Sequence, residues 1–184
     1  MKSALLIGLD PGIVDTALAW LQFNGEDKQF VSRYRVWREV TSTVKGQDTR
    51  VSVGFLTELQ QIVLRAHKQG RPVYVFMEGY RNRGLDMRQD QKMTVLLAAI
   101  RQAVPETKTI DNTGVKNVVT EETLKLLGLS RNEVRTNHAD IKSARRIALK
   151  GAYQDPELNT LVADLVLDRL TEEAWTLMSS RALK

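Results

Sequence analysis

The stretch LIGLDPG, Leu6–Gly12, decides how the rest of the chain is read. The apolar run from Ala4 to Leu9 has the length and flanks of a buried strand, and it stops abruptly at Asp10, Pro11 and Gly12. Pro11 has no amide hydrogen to give to a sheet ladder, and Gly12 permits a tight turn. Asp10 is therefore expected at the carboxyl end of a strand, on a rigid element beside backbone that a ligand can approach closely. An aspartate so placed either begins a turn or holds a cation.

Working outward, Thr16 to Phe23 reads as a second strand ending in the turn cluster Asn24 to Asp27. Phe30 to Trp37 reads as a third, half-exposed strand, with Phe30, Tyr34 and Val36 alternating with Arg33, Arg35 and Arg38. Three strands joined by short turns make an antiparallel meander. Val53, Leu56, Leu59, Ile62, Val63 and Ala66 recur at helical spacing within Val51 to Lys68, closed by Gly70 and Pro72. The next apolar run, Val73 to Met77, ends in Glu78 and Gly79, which repeats the pattern of the first. A strand, helix and strand in that order form a right-handed crossover with parallel strands. If those strands are neighbours, about 4.8 Å apart, Asp10 and Glu78 face one another. Two such carboxylates drive one of the pair to take up a proton unless a cation lies between them. The competing partners for Glu78 are Arg81 and Arg83.

Tyr80 to Gln91 is polar and basic, and a helix is expected from Gln91 to Val104, apolar on more than one face. That helix is either a dimer surface or is covered by the chain's own C-terminal segment. Lys108 to Ile110 reads as a short strand, Thr120 to Leu127 as a helix closed by Gly128, and His138 to about Gly151 as a further helix. On this last helix Asp140 and Ser143 are three apart and share a face. A C-terminal amphipathic helix, about 156–180, carries an apolar stripe from Leu158 to Leu177 and reads as a lid on the core. Asp164, Asp168, Glu172 and Glu173 lie largely away from that stripe and read as a solvated face.

The chain's 184 residues, 42% hydrophobic and 27% charged, are ordinary for one globular domain spanning 1–184. No apolar run approaches the ~20 residues of a membrane span and no leader pattern is present, so a cytoplasmic location and no membrane partner are expected. The absence of cysteine excludes disulfides, zinc–thiolate sites and Cys nucleophiles, and leaves oxygen or imidazole ligands for any metal. A net charge of +5 and a pI near 9.6 favour a polyanionic partner.

Taken in order, LIGLDPG, VFMEGYRNR (Val75–Arg83), QDQKMTVLLAAI (Gln89–Ile100), TGVKNVV (Thr113–Val119) and HADIKSARRIAL (His138–Leu149) resemble the RuvC family of Holliday junction resolvases. The resemblance implies an RNase H-like α/β fold, with a five-stranded mixed sheet, an antiparallel meander then parallel strands, flanked by helices. It implies a structure-selective endonuclease that resolves four-way DNA junctions, acting as a homodimer whose dimer helix is Gln91 to Val104. Asp10, Glu78 and Asp140 match the family's metal-binding carboxylates, for two Mg²⁺ or Mn²⁺ ions. Lys116 matches a lysine near the scissile phosphate. Arg81, Arg83, Arg88 and Lys92, with Tyr80 near a junction-contacting aromatic, would bind DNA. The resemblance fits a bacterial or phage-infected cytoplasm or an organelle matrix. One departure is plain: the family's second late-helix acid is Ser143 here. Ser143 coordinates weakly or through water, or His138 or Asn137 assists, or the site is weakened. The alternatives are a junction- or branched-DNA-binding protein with little or no catalysis, and a flap nuclease of the same fold. An ATPase of the actin and sugar-kinase type would need a second domain for which the chain is too short.

Overall fold

The computed structural model describes residues 3–26, 28–43, 48–80, 86–111, 113–130 and 138–182. Strand β1 (Ser3–Asp10) is buried along its apolar run and half-buried only at its two ends. It pairs antiparallel with β2 (Asp15–Asn24), which pairs in turn with β3 (Gln29–Arg38). A second small sheet, the hairpin β4 (Thr41–Thr43) and β5 (Thr49–Val51), leads into helix α1 (Val53–Lys68). On its other side β1 pairs in parallel with β6 (Val73–Glu78), and β6 with β7 (Lys108–Ile110). The order is β3-β2-β1-β6-β7, the expected five-stranded mixed sheet.

Successive strand residues point to opposite faces, and this splits the core in two. Leu5, Ile7, Leu9, Val75 and Met77 pack with Phe55, Leu59 and Val63 of α1 and with Met93, Leu96, Leu97 and Ile100 of α2 (Met87–Ala103). The other face, with Leu6, Leu21, Phe76 and Ile110, is covered chiefly by α5 (His138–Gln154), with α4 (Glu121–Leu126) and the first turns of α6 (Asn159–Ala182). A short helix, α3 (Val115–Val118), links β7 to α4. Among the described residues no helix is long and apolar enough to cross a membrane.

Helix α2 departs from the expectation at its start and in its cover. It begins at Met87 rather than Gln91 because Asp86 caps it, accepting from the backbone N–H of Arg88 at 2.9 Å and of Gln89 at 3.2 Å. Its apolar side meets α1 and the sheet, while Gln91, Thr94 and Ala98 are exposed. Among the described residues the C-terminal segment does not cover it, since the first turns of α6 pack on the opposite face of the sheet. Among the described residues, the stripe of α6 is packed only in part. Leu158, Val162 and Leu165 are buried and Leu161 and Val166 pack beside them, whereas Leu170, the next residue of the stripe, is 51% exposed.

Candidate active site

Asp10 and Glu78 are the last residues of β1 and β6. Leu9 pairs with Met77, and both enter the core under α1 and α2, so the next residue of each strand turns to the face covered by α5. Close approach of α5 depends on a missing side chain. A Cβ on Gly8 would lie 1.9 Å from the Ala144 carbonyl oxygen and 2.7 Å from the Ala148 nitrogen. Ala17, Ala19 and Ala144, all fully buried, continue this narrow contact. The first turns of α5, with Asp140 and Ser143, are thereby held over the strand ends.

Asp10 makes hydrogen-bond contact with Glu78 and with Ser143. The Ser143 hydroxyl donates to the Asp10 carboxylate, whereas two carboxyl groups can meet only by sharing a proton or a cation. Burial pushes the Asp10 carboxyl above its ordinary value, and the two hydrogen bonds offset only part of this. The Asp140 carboxyl is also pushed up, first by burial and then by the negative charges of Asp10 and Asp15. Asp10, Glu78 and Ser143 are therefore in contact, with Asp140 within reach of the Asp10 charge. Ser143 acts here as a hydrogen-bond donor to the first acid.

Of the remaining sequence candidates, Lys116, Tyr80, Arg88 and Lys92 are described. Lys116 is exposed on α3, a few residues beyond Ile110, which pairs with Glu78. Tyr80 is 37% exposed, and its hydroxyl donates to Asp90 on α2. Arg88 is exposed and Lys92 half-buried in the first turns of α2, the helix that leads away from the end of β6. Arg81, Arg83, Asn137 and the His138 side chain lie outside the described residues. Two acids escaped the sequence reading. Asp90 is 7% exposed and anchors Tyr80; its only sequence signal is an acid in the first turn of a helix, which usually means a favourable helix dipole. Asp15 acts on Asp140, and finding it required the register of β2 against β1.

No three His, Cys, Asp or Glu side chains among the described residues converge to hold one metal ion. The donors themselves are all oxygen, which suits a hard divalent cation. Mg²⁺ is commonly held by one or two carboxylates, with water and substrate phosphate completing its shell, so a contacting carboxyl pair fits it.

Neither a family model nor a curated protein matches the sequence. Among solved structures, RuvC of T. thermophilus in complex with a Holliday junction substrate aligns over 79% of this chain and 90% of that one, at 17% identity and a TM-score of 0.52. A second Thermus thermophilus RuvC structure aligns over 78% and 90%, at 20% identity and 0.45. The Fowlpox virus resolvase in complex with Holliday junction DNA aligns over 79% and 95%, at 11% identity and 0.36. At such identities the likeness is one of fold, and the first of these carries it: the chain has a RuvC-like, RNase H-like fold.

Proposed function

We propose that this chain is a structure-selective endodeoxyribonuclease that resolves four-way DNA junctions by metal-dependent phosphodiester hydrolysis. The observation that carries the reading is the meeting of Asp10 and Glu78 at the ends of adjacent parallel strands, beneath the helix bearing Asp140, within a RuvC-like fold. Asp10, Glu78 and Asp140 would hold Mg²⁺ or Mn²⁺. Such cations, when bound, supply Lewis acidity toward the attacking water and the leaving 3′ oxygen.

The chain's own side chains do the rest. The Ser143 hydroxyl orients the Asp10 carboxylate. Lys116 neutralises charge on the scissile phosphate, and Arg88 and Lys92 bind flanking phosphates, positioning DNA without reading its sequence. Arg81 and Arg83, which lie outside the described residues, would add further phosphate contacts. Tyr80, fixed by Asp90, presents its ring beside the catalytic edge. Paired cuts across a four-way junction need two sites related by a two-fold axis, so the working form is a homodimer, with the exposed side of α2 as the dimer surface. The protein acts in a cytoplasm or organelle matrix.

A second reading, a junction-binding protein with little catalysis, is favoured by Ser143 standing where the resemblance expects an acid. The two are separated by incubating a labelled four-way junction, a flap and a linear duplex with wild type and Asp10→Asn in Mg²⁺, Mn²⁺ or EDTA. Paired nicks confined to the junction, lost in EDTA and in Asp10→Asn while binding persists, are expected. Tight junction binding without cutting in any metal would replace the nuclease by the binding protein, and cutting of the flap alone would redefine the substrate.

A further inference from the structure

We propose that the cavity between the end of α1 and strands β2 and β3 binds a phosphomonoester carried on a nucleoside, at a place separate from the acid pair and whatever reaction that pair performs. Strand register builds one wall. Leu5 pairs with Gln22 and Gln22 with Val31, while Ile7 pairs with Trp20 and Trp20 with Arg33. Directly opposite residues share a sheet face, and Leu5 and Ile7 enter the core under α1, so Trp20, Gln22 and Arg33 lie on the α1 side. Helix α1 supplies the other wall from Ile62, Arg65 and Gln69, which share one helix face, and Arg71 completes the lining. The space is about 310 Å³, at the small end of ligand-sized pockets.

The backbone holds Arg71 at this place. Gly70, at φ +66°, closes α1 in the left-handed region, and the Leu5 N–H donates to the Pro72 carbonyl at 2.9 Å, which ties the segment after the helix to β1. Leu5 stands five residues before Asp10 on β1, about 16 Å away along the strand. The cavity also lies on the face of the sheet opposite α5.

Uncompensated charge marks the cavity. Arg33, Arg65 and Arg71 line it and no acid does, and none of the three has an ion pair or side-chain hydrogen bond among the described residues. The other arginines of β3 are answered by acids: Arg35 Nε lies 3.2 Å from Glu58, and Arg38 Nε 3.9 Å from Asp15. Arg65, in the last turn of α1, suits the helix dipole, but that explains neither Arg33 on a strand nor Arg71 beyond the helix. Like charges around a concave space focus a positive potential there, and guanidinium forks match phosphate oxygens. A phosphomonoester brings nearly two negative charges where a DNA diester brings one, so it balances three arginines better. Trp20, Ile62 and Leu5 offer apolar surface to a base, and the Gln22 and Gln69 amides can both donate and accept hydrogen bonds.

Titration calorimetry of the full chain with adenosine monophosphate, adenosine and inorganic phosphate tests this without any turnover. Wild type should bind the nucleotide at one saturable site, inorganic phosphate more weakly and adenosine not measurably. Arg33→Ala and Arg71→Ala should each weaken the nucleotide roughly tenfold or more, the scale of a hydrogen bond to a charged group. Arg33→Lys, which keeps the charge and loses the fork, should fall between. Arg50→Ala, an exposed arginine outside the cavity, should bind as wild type does. The indole N–H resonance of Trp20, assigned by its loss in Trp20→Phe, should shift on binding. A DNA single strand with a 5′-phosphate, and the same strand without one, distinguish the source of the ligand: competition by the phosphorylated strand alone places it on a strand end, and competition by neither leaves a free nucleotide. No saturable nucleotide binding, wild-type affinity in Arg33→Ala and Arg71→Ala, an equal loss in Arg50→Ala, or equal competition by both strands overturns the inference.

Discussion

Helix α5 has acids on two flanks, and the chain treats them in opposite ways. Glu121, on α4, meets Lys142 Nζ at 2.7 Å and Arg146 Nη2 at 2.9 Å, and accepts from the Ser130 hydroxyl at 2.7 Å. The Lys142 and Ser130 hydrogen bonds, ahead of the lysine and arginine charges, hold its carboxyl down at about 2. On the other flank, Asp10 and Asp140 are pushed up by burial, and Asp140 further by the charges of Asp10 and Asp15. The first acid is completed by the protein and serves to join α4 to α5. The second group is held in an environment that favours a proton or an added cation, the pattern expected where charge is arranged for chemistry rather than stability. The basic residues of α5 follow the structural flank: Arg145 donates to the Leu129 carbonyl and Ser32, Arg146 to the Val119 carbonyl, and Lys150 to the carbonyls of Asp111 and Thr113.

The largest expected effect comes from neutralising one acid on each flank. On the nuclease reading proposed above, Asp10→Asn should lower junction cleavage by roughly 10³-fold or more, because it would remove a group needed in the transition state. It should also raise the melting temperature, because a buried carboxyl in contact with another is relieved. Glu121→Gln should leave cleavage near wild type and lower stability by about 1 kcal/mol, a value reduced for a side chain about a third exposed to solvent. Cleavage assays and thermal melts on the two variants give the four readings. A fall in melting temperature for Asp10→Asn would make Asp10 a structural acid like Glu121, and the contrast would be gone.

The next effect tests what holds the two flanks at their distances. Gly8→Ala would force the Ala144 carbonyl away from β1, because the added Cβ falls 1.9 Å from it. Overpacking backbone against backbone should cost about 3 kcal/mol and lift Asp140 and Ser143 off Asp10. Denaturant melts should show the loss in stability, and junction cleavage should fall with it. The Glu121 cluster, which joins α4 and α5 without touching β1, should persist; a variant that keeps wild-type stability would show that α5 can shift without strain.

The sequence reading reached Asp10 and Glu78 but not Asp15, for a physical reason. Asp10 and Glu78 each end an apolar run followed by glycine, so the chain states their position locally, and a crossover rule brings them together. Asp15 follows no such run. Its charge bears on Asp140 only because β2 pairs with β1 in the register Asp10 with Ala17, a non-local fact invisible to periodicity. The hairpin β4 and β5 was missed because three-residue strands are too short to show alternation. Helix α2 was legible in its apolar residues but not in its start, which one cap residue, Asp86, sets. The stripe on α6 was legible too, yet pattern alone does not say how far the sheet beneath it extends.

The smallest effect is also the sharpest test of Glu121 as a finished structural acid. Its carboxyl has an ordinary value of 4.5 and is lowered to about 2 in the fold. A lowered acid contributes stability that is fully present above 4.5 and is lost as pH falls from there through about 2, because only the ionised form makes the favoured contacts. The difference in melting temperature between wild type and Glu121→Gln should therefore be constant above about pH 5 and shrink toward zero near pH 2. Comparing the two proteins at each pH cancels the opposite contributions of Asp10 and Asp140, which both carry unchanged. High salt should reduce the difference as well, since Lys142 and Glu121 are 25% and 32% exposed and open to screening. A difference that persists undiminished at pH 2 would mean that Glu121 acts through shape or neutral hydrogen bonds. In that case charge would distinguish only the Asp10 flank of α5, and the Glu121 flank would be joined by packing.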